Sequence, residues 1–334
     1  AIRAKAFDAL RGLLPASALS NVGIYGTGQG YEQLLLRMRA HPLPEARTYA
    51  DLMLTELRKV IPSFLKRVDL DDRGVAWSDY LETNRTEMDE IAARVFGAST
   101  AIEDAPTVAL VDFDPDAEVK LVTAALYPHL AMPEEQIERR VREMGVEERL
   151  AVLRAYNGFR TNRRHKPGRA LERPTYRFDV LADYGAFRDL QRHRMLTIEW
   201  QRLTPAHGYV RPGAVDDAGL ASRYDDVMAR SAALFNVLDR EFPEESSYAV
   251  ALAYRVRFMM QMNAREAMHL IELRTTPQGH PSYRIVGQEM HRLIAEKAGH
   301  HAIAAMMSFV DHSGESELER LQAERRAEER RKGQ

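Results

Sequence analysis

Residues 175–194 read TYRFDVLADYGAFRDLQRHR, and this run decides the fold because it predicts a strand that leads directly into a helix. Apolar and polar side chains alternate over Thr175–Ala182, which is the period of a half-buried β-strand. From Asp183 to about Met195 the apolar residues fall at helical spacing. Arg192-His193-Arg194 is therefore expected in the last turn of a helix, where cations suit the helix dipole. A cationic helix end is often only a solvated terminus, so its meaning depends on the rest of the chain.

Arginines crowd the loop that precedes this strand. Residues 160–173 read RTNRRHKPGRALER and include His165. Their positive charge would repel the cluster at Arg192–Arg194 unless an anion lies between the two or solvent separates them. Arginine binds phosphate oxygens through two hydrogen bonds at once. A diphosphate group is therefore a natural candidate for the anion.

A third informative stretch is predicted to be one long helix from Ser246 to about Arg274. Its polar residues stand in an otherwise apolar, Met-rich sequence, and they are Asn263, Arg265, His269 and Arg274. Arg265 and His269 share a helix face because they are four residues apart. Polar groups in so apolar a helix must either reach solvent or be satisfied by a ligand or partner. The stretch alone leaves both interpretations open.

Together, these stretches resemble the flavin-dependent thymidylate synthases, the ThyX family. Members share an Arg-His-Arg motif that grips FAD and a later helix with the pattern Asn-x-Arg-x-x-x-Asn-x-x-x-x-Arg. The counterparts here are Arg192-His193-Arg194 and Asn263-x-Arg265-x-x-x-His269-x-x-x-x-Arg274. The similarity runs from about Thr107 to His312. It implies an α+β fold of the ThyX type, in which an antiparallel sheet is flanked by long helices, with a mainly helical N-terminal region.

The resemblance also implies the residues of the site and the reaction. Arg274 would bind the uracil of dUMP and promote ionisation at N3, which makes it the expected catalytic residue. The cofactor-binding residues would be Arg192, His193, Arg194, Asn263, Arg265, His269 and His165. The substrate-binding residues would be Arg274, Arg11, Asp189 and Arg202. FAD would be the cofactor, and NADPH and methylenetetrahydrofolate would be co-substrates.

Part of the family's nucleotide-binding pattern is missing from this chain. Members continue after Arg-His-Arg with x-x-Ser-x-Asn-Glu-x-Ser-x-Arg-Tyr. The corresponding residues here are Thr197, Glu199, Trp200, Arg202, Thr204 and Pro205. An arginine that binds the dUMP phosphate in the family is replaced by Ser247, and the proline four residues later is replaced by Ala251. The FAD half of the site is therefore largely retained, while the nucleotide half is eroded.

Three functions from different classes remain. The first is a flavoenzyme of the methyltransferase class that reductively methylates dUMP to dTMP. The second is a non-catalytic relative that binds flavin or nucleotide and has a structural or regulatory role. The third is an RNA-binding protein that uses the loop at 160–173. The scarcity of aromatic residues between the arginines of that loop weighs against base stacking.

Composition narrows the choice of partners. The 334-residue chain has no cysteine, which excludes disulfides and the cysteine nucleophile of classical thymidylate synthases. A formal net charge of −2 argues against wholesale nucleic-acid binding. No apolar run is long enough for a membrane span, no signal peptide is visible and no histidine spacing suits a metal. We therefore expect a cytoplasmic protein with no membrane contact and no metal site. The nucleotide and folate partners are those that the family resemblance implies.

The first hundred residues are predicted to be helical. They contain one glycine-rich pattern and one pattern that pairs an arginine with a proline. The Gly26-x-Gly28-x-Gly30 run lacks the preceding parallel strand that a dinucleotide-binding loop requires, so we reject that interpretation. Arg11 and Pro15 have the family's Arg-x-x-x-Pro spacing. The residues at the following Asn, Arg and Asn places are Thr27, Gln29 and Gln33. Arg11 would then supply the phosphate-binding arginine that is missing at Ser247, unless it merely caps the helix that precedes it.

Three regions follow from this internal comparison. Residues 1–97 would be a partial, degenerate ThyX-like repeat, residues 107–312 a ThyX-like FAD-binding domain, and residues 313–334 a charged helical tail, with the linker at 97–106. Two fused repeats per chain would let a homodimer reproduce a four-domain arrangement. We therefore expect a homo-oligomer, either a dimer of fused repeats or a tetramer. Because the chain begins with Ala1 rather than Met, we expect it to be processed or cut from something longer.

Hydrophobic patterns predict the remaining elements. A buried strand is expected at Val108–Phe113. Helices are expected at about Ile2–Leu14, Pro44–Arg67 with Pro62 as a kink or stop, Pro115–Leu126, Pro133–Met144, Val146–Tyr156 and Asp216–Phe242. In the second of these helices the residues expected to point inward are Leu52, Met53, Leu57, Val60 and Ile61.

Overall fold

The computed structural model describes residues 2–97 and 103–314, and it has the mixed α+β architecture that the sequence predicts. The helices are α1 (Ile2–Leu10), α2 (Gly28–Arg39), α3 (Pro44–Leu57), α4 (Pro62–Leu65), α5 (Ala76–Phe96), α6 (Ala117–Leu126), α7 (Glu134–Glu143), α8 (Val146–Asn157), α9 (Tyr184–Leu190), α10 (Gly213–Asp217), α11 (Ala221–Glu241), α12 (Ala264–Arg274), α13 (Pro281–Glu296) and α14 (His301–Met306). The strands are β1 (Val108–Phe113), β2 (Thr175–Asp183), β3 (Thr197–Trp200) and β4 (Arg255–Asn263). The charged tail predicted at 313–334 lies almost wholly outside the described residues, as does the middle of the predicted linker.

The chain divides into two compact units. The first takes in the residues up to Ala16, the stretch Ala105–Phe235 and the chain from Ala249 onward. The second consists of Ser17–Asp104 and Asn236–Tyr248. The sheet and the predicted site residues belong to the first unit. Among the described helices, none combines the length and the apolar character that crossing a membrane requires.

A four-stranded antiparallel sheet forms the centre of the first unit, in the order β1-β2-β4-β3. The strand predicted at Thr175–Ala182 is confirmed as β2, which pairs with β4 from Thr175↔Asn263 to Asp183↔Arg255. Its alternate side chains are buried, and they are Tyr176, Phe178, Val180 and Ala182. The strand predicted at Val108–Phe113 is also confirmed, although as edge strand β1 it is buried only at Val108 and Leu110.

The long helix predicted from Ser246 to Arg274 is wrong over its first half, which contains strand β4. The buried residues of β4 alternate, and they are Val256, Phe258, Met260 and Met262. A Met-rich run is compatible with the hydrophobic period of a helix or of a strand. Here it forms a strand because it pairs with β2 on one side and with β3 on the other. The helix begins only at Ala264, because Asn263 caps it by accepting a hydrogen bond from the Glu266 backbone N–H at 2.9 Å.

Other helices differ from the prediction at their ends. The helix after β2 ends at Leu190, so Arg192-His193-Arg194 lies in the loop beyond it and not in its last turn. Helix α1 ends at Leu10, and the predicted helix Asp216–Phe242 is interrupted between α10 and α11. Helix α3 ends at Leu57, before Pro62, and this ending leaves Val60 exposed. The helices predicted near α6, α7 and α8 are confirmed.

The second unit is mainly helical, as the sequence predicts for the N-terminal region. Its core is formed by Leu35, Leu36, Ala50, Leu54, Leu65 and Val68. Leu52, predicted to point inward, is exposed, because the buried face of α3 is turned toward Ala50 and Leu54 instead. Gly28 and Gly30 form the first turn of α2, which Thr27 caps through the Gly30 backbone N–H at 3.1 Å.

Buried histidines are expected to make the fold sensitive to acid. Burial lowers the pKa of His300 below its ordinary value of 6.5, and the carboxylates of Glu118 and Asp114 oppose this effect only in part. His300 Nδ1 lies 3.0 Å from the Tyr176 hydroxyl, and its Nε2 has no hydrogen-bond partner among the described residues. Burial also lowers the pKa of His291. The unfolded chain therefore binds more protons than the folded one as the pH falls through 6.5, so folding stability is lost on acidification.

We expect urea unfolding midpoints to fall between pH 7 and pH 5, and a His300→Gln variant to show a shallower fall over the same range. The comparison is between the two slopes, because the substitution also changes stability at pH 7. Equal slopes in the two proteins would contradict the assignment of this pH dependence to His300.

Candidate functional site

A buried chain of hydrogen bonds joins the loop after α9 to helix α12. His193 Nδ1 lies 2.9 Å from Glu266 Oε1, and Arg274 Nε donates to His193 Nε2 at 3.0 Å. The side chains of His193 and Glu266 are only 3% and 8% exposed. Two predicted site residues, His193 and Arg274, are therefore brought into direct contact, and Glu266 joins them.

Helix α12 presents these groups because of where it begins. With Asn263 as its cap, Glu266 falls in the first turn, His269 lies one turn later and Arg274 is the last helical residue. Side chains in a helix lean toward its N-terminus, so Arg274 can reach back toward His193. Asn263, predicted to bind the cofactor, thus also determines the start of the helix that carries the other residues.

The hydrogen bonds assign the tautomer of His193. The Nε group of Arg274 can only donate, so His193 Nε2 must accept and the ring proton must be on Nδ1, where it is donated to Glu266. Ligand atoms of His193, Glu266 and His269 all lie within 4.8 Å of one another, a spacing that could hold a metal ion. With its proton on Nδ1 and a guanidinium on Nε2, however, His193 offers a metal no lone pair, so the geometry favours the hydrogen-bonded chain.

Further contacts hold the guanidinium of Arg274. It donates to the backbone carbonyl of Asp189 and lies over the ring of Tyr283, 5.4 Å from the ring centroid. The Asp189 carboxylate is 3.8 Å from Arg274 Nη1 and 3.1 Å from Arg192 Nη1. Asp189 therefore links two of the predicted arginines. The Arg274 side chain is 14% exposed, so it is largely but not completely buried.

Carboxylates from within and outside the arginine-rich loop neutralise much of its positive charge. Glu172 pairs with Arg169 and with Arg265, in both cases at 3.0 Å. The other loop arginines with acidic partners are Arg160, bound to Glu272, and Arg173, bound to Glu134. The repulsion that suggested a bound anion is therefore relieved in part by the protein itself.

The neighbourhood of His269 still fits an anionic, hydrogen-bonding ligand such as the diphosphate of FAD. His269 Nδ1 is buried and has no hydrogen-bond partner among the described residues. Burial, Lys166 and Arg163 lower the pKa of His269, while Glu266 raises it, so the imidazole is neutral at pH 7 and close to two cations. Arg192 and Arg194 are exposed. An unsatisfied polar atom beside solvent-facing cations is what such a ligand requires.

The remaining predicted residues lie elsewhere. His165 is exposed and bonded within its own loop, with Nε2 2.9 Å from the Asn162 amide nitrogen. Arg202 lies over the Phe235 ring at 5.6 Å. Arg11 is 3.4 Å from Asp8 and is largely exposed. Within the described part of the chain, no hydrogen bond or ion pair joins Arg11 to the group around Arg274.

The chain segment that follows Arg11 has a defined place in the first unit. Ala16 N–H donates to the Val250 carbonyl at 2.8 Å, and Leu252 N–H donates to the Leu14 carbonyl at 2.9 Å. The Gly185 backbone N–H also donates to the Leu252 carbonyl, at 3.2 Å. Residues 12–16 and the start of α9 therefore both lie against 250–253.

Sequence reasoning missed Glu266. Its signal was present, because Glu three residues after Asn is a helix-start pattern in which the acidic residue sits in the first turn. The pattern predicts the helix start but not that the carboxylate turns inward to His193, which is far away in sequence.

The amino-acid sequence matches one family model and several curated proteins. A family model described as "Thymidylate synthase complementing protein" matches residues 109–299. A UPF0159 protein of Chlamydia muridarum is 37% identical over 97% of this chain and 61% of its own length. A UPF0159 protein of Thermoplasma acidophilum, Ta1429, is 32% identical over 97% of this chain and 63% of its own length. The chain thus spans about three-fifths of these curated relatives.

Two solved structures match the chain with low sequence identity. A UMP/dUMP methylase PolB from Streptomyces cacaoi, bound with 5-Br dUMP, has a TM-score of 0.48 and 20% identity, covering 62% of this chain and 97% of that one. A flavin-dependent thymidylate synthase ThyX from Helicobacter pylori, complexed with FAD and dUMP, has a TM-score of 0.43 and 13% identity, covering 62% of this chain and 100% of that one. The assignment itself rests on the family model, which covers more than half of the sequence and both motifs. The chain belongs to the thymidylate synthase complementing protein family.

Proposed function

We propose that the protein catalyses the reductive methylation of dUMP to dTMP, with FAD as cofactor and methylenetetrahydrofolate and NADPH as co-substrates. The observation that carries this proposal is the way Arg274 is held. Its guanidinium is contacted by His193, by the Asp189 carbonyl and by the Tyr283 ring, and yet the side chain keeps some exposure to solvent. A half-buried cation costs desolvation energy, and a ligand-binding role accounts for its retention.

Each residue of the site would have a defined task. FAD, when bound, would supply the hydride chemistry of the reaction. Arg192, Arg194 and the cations beside His269 would bind its phosphates, and the unpartnered His269 Nδ1 would accept or donate one hydrogen bond to it. Arg274 would direct its free N–H groups at the uracil and stabilise the negative charge that develops when N3 loses its proton. The fixed guanidinium needs little reorganisation to do so.

We also propose that residues 1–97 hold part of a second synthase-like repeat. Helices α2 and α12 support this idea, because the residues at corresponding places of the two repeats, Thr27 and Asn263, are each the cap of a helix. Thr27 caps α2 through the Gly30 N–H, and Asn263 caps α12 through the Glu266 N–H. The helix that follows each of them begins with proline at its first position, in α3 and in α13. Residues 107–312 would be the more complete repeat.

Arg11 would complete the nucleotide site in this scheme. Residues 12–14 lie beside 252–253, which in turn contact the start of α9, while Asp189 and Arg274 lie at the other end of that helix. A seven-residue helix is roughly 10 Å long, so two extended arginines at its ends could contact opposite ends of one nucleotide. The phosphate would bind Arg11 and the base would bind Arg274.

A C5 tritium-release assay tests the proposed function and the composite site together. With NADPH, methylenetetrahydrofolate and tritiated dUMP, we expect release by the wild-type protein and a loss of at least about tenfold in kcat/KM for Arg11→Ala and for Arg274→Ala. Because both arginines hold one ligand, the double variant should lose less than the product of the two effects. Arg292→Ala, which removes a surface arginine paired with Glu289 and Glu296, is the matched control.

The outcomes separate the alternatives. No tritium release, in a protein that binds FAD, would favour the non-catalytic relative, and Ser247 in place of an arginine is the observation that favours that second candidate. Full activity in Arg11→Ala would exclude the composite site and leave the proposed reaction standing.

A further inference from the structure

Glu266 reaches the proposed catalytic arginine through one intermediate, His193. The three side chains form a continuous series in which the Arg274 guanidinium donates to the imidazole and the imidazole donates to the Glu266 carboxylate. Glu266 is buried, and its Oε1 accepts this bond. Nothing in the motif that identifies the family includes this glutamate, and the reaction proposed above assigns it no task.

The chemistry of imidazole explains why the carboxylate matters. A neutral histidine carries its proton on either ring nitrogen, and the two tautomers present opposite hydrogen-bonding faces. A carboxylate at Nδ1 can only accept, so it selects the tautomer with the proton on Nδ1 and leaves a lone pair on Nε2. Without the carboxylate, the tautomer with the proton on Nε2 becomes accessible. That tautomer would place an N–H donor directly against the Arg274 Nε–H donor.

We propose that Glu266 is a positioning residue that fixes Arg274 by selecting the tautomer of His193. His193 thereby connects the first turn of α12, at Glu266, to the last residue of the same helix, Arg274. The other contacts of Arg274, with the backbone carbonyl and carboxylate of Asp189 and with the Tyr283 ring, involve its Nη groups and the face of the guanidinium, so His193 supplies the acceptor for the Nε–H. The consequence for turnover rests on the proposed function, whereas the tautomer and its cause do not.

The first experiment concerns the tautomer alone. The 15N chemical shifts of histidine side chains distinguish the two neutral tautomers and the imidazolium, and a His193→Gln variant assigns the signal among the 11 histidines of the chain. We expect His193 of the wild-type protein to carry a proton on Nδ1 and a lone pair on Nε2. We expect Glu266→Leu to shift it toward the Nε2 tautomer, while Glu266→Gln keeps an acceptor oxygen and the wild-type pattern. A wild-type His193 with its proton on Nε2 would overturn the proposal whatever the activity.

The second experiment concerns positioning. In the tritium-release assay we expect Glu266→Leu to lower kcat/KM by roughly 10- to 100-fold, because a small displacement of a substrate-orienting group has an effect of that order. Glu266→Gln should stay within about threefold of the wild type. In an Arg274→Ala background, Glu266→Leu should have no further effect, because it acts through the arginine. Glu289→Leu, in which a partly exposed carboxylate of α13 is removed, is the control for loss of a carboxylate.

These readouts separate a positioning role from a structural one. If Glu266→Leu unfolds the protein, the wild-type tautomer and the rescue by Glu266→Gln still decide the question. If the Glu266→Leu loss persists undiminished in the Arg274→Ala background, the glutamate acts elsewhere and the proposal is wrong. If the wild-type protein shows no turnover while the tautomer pattern is as expected, the proposed reaction fails and the role of Glu266 in holding Arg274 stands.

Discussion

Replacing Glu272 with alanine is expected to lower the free energy of unfolding by about 3 to 5 kcal/mol. Both Glu272 oxygens accept hydrogen bonds from Arg160 at 2.7 Å, and the two side chains are 1% and 3% exposed. The substitution would leave a buried guanidinium without its counter-ion. Urea unfolding followed by circular dichroism measures the effect.

Losing the Arg160–Glu272 pair should also loosen the arginine-rich loop at 160–173. Arg160 also donates to the backbone carbonyls of His165 and Met306 and lies 5.1 Å from the centroid of the Phe309 ring. It therefore fastens the loop to α12 and to the segment after α14. An Arg160→Met, Glu272→Leu double variant should recover much of the stability, because an apolar pair avoids the desolvation cost. A loss below about 1 kcal/mol in Glu272→Ala would contradict this account of the pair.

Removing the two exposed cations of the Arg-His-Arg motif is expected to weaken FAD binding by at least about 100-fold. Arg192 and Arg194 lie in the loop beyond α9 and face solvent, where phosphate can reach them. Each charge-assisted hydrogen bond to phosphate is worth about 1.5 to 3 kcal/mol, which corresponds to a factor of ten or more per arginine. Isothermal titration calorimetry of the Arg192→Ala, Arg194→Ala variant with FAD measures the change.

Two matched variants define what that result means. Arg292→Ala should bind FAD like the wild type, because Arg292 is engaged with two glutamates on the surface of α13. His269→Ala should weaken binding by a smaller factor than the double arginine variant, because it removes one neutral hydrogen bond. Unchanged affinity in the double arginine variant would show that the motif does not grip the cofactor.

Much of the fold could be predicted from the sequence because local patterns determine it. The alternation in β2 follows from Tyr176, Phe178 and Val180, and it is confirmed. Strand β4 could not be predicted in the same way. Its Met-rich run suits a helix as well as a strand, and the choice depends on β2 and β3, which are distant in sequence. The prediction also merged this strand with α12, although Asn263 marks the boundary.

The sequence could indicate candidate site residues but not their contacts. The motif spacing identified His193 and Arg274, which the structure brings together. It gave no indication of Glu266 or Glu172, whose carboxylates bind His193 and Arg265 across long sequence separations. A helix boundary placed five residues too late also put the Arg-His-Arg cluster in a helix, whereas its loop conformation is what lets His193 turn inward.

The most direct test of the central claim, that this chain is a flavoprotein of its family's type, is a titration of the purified protein with FAD. We predict saturable binding and a flavin absorption band that remains with the protein through gel filtration. A colourless protein that takes up no FAD would contradict the account.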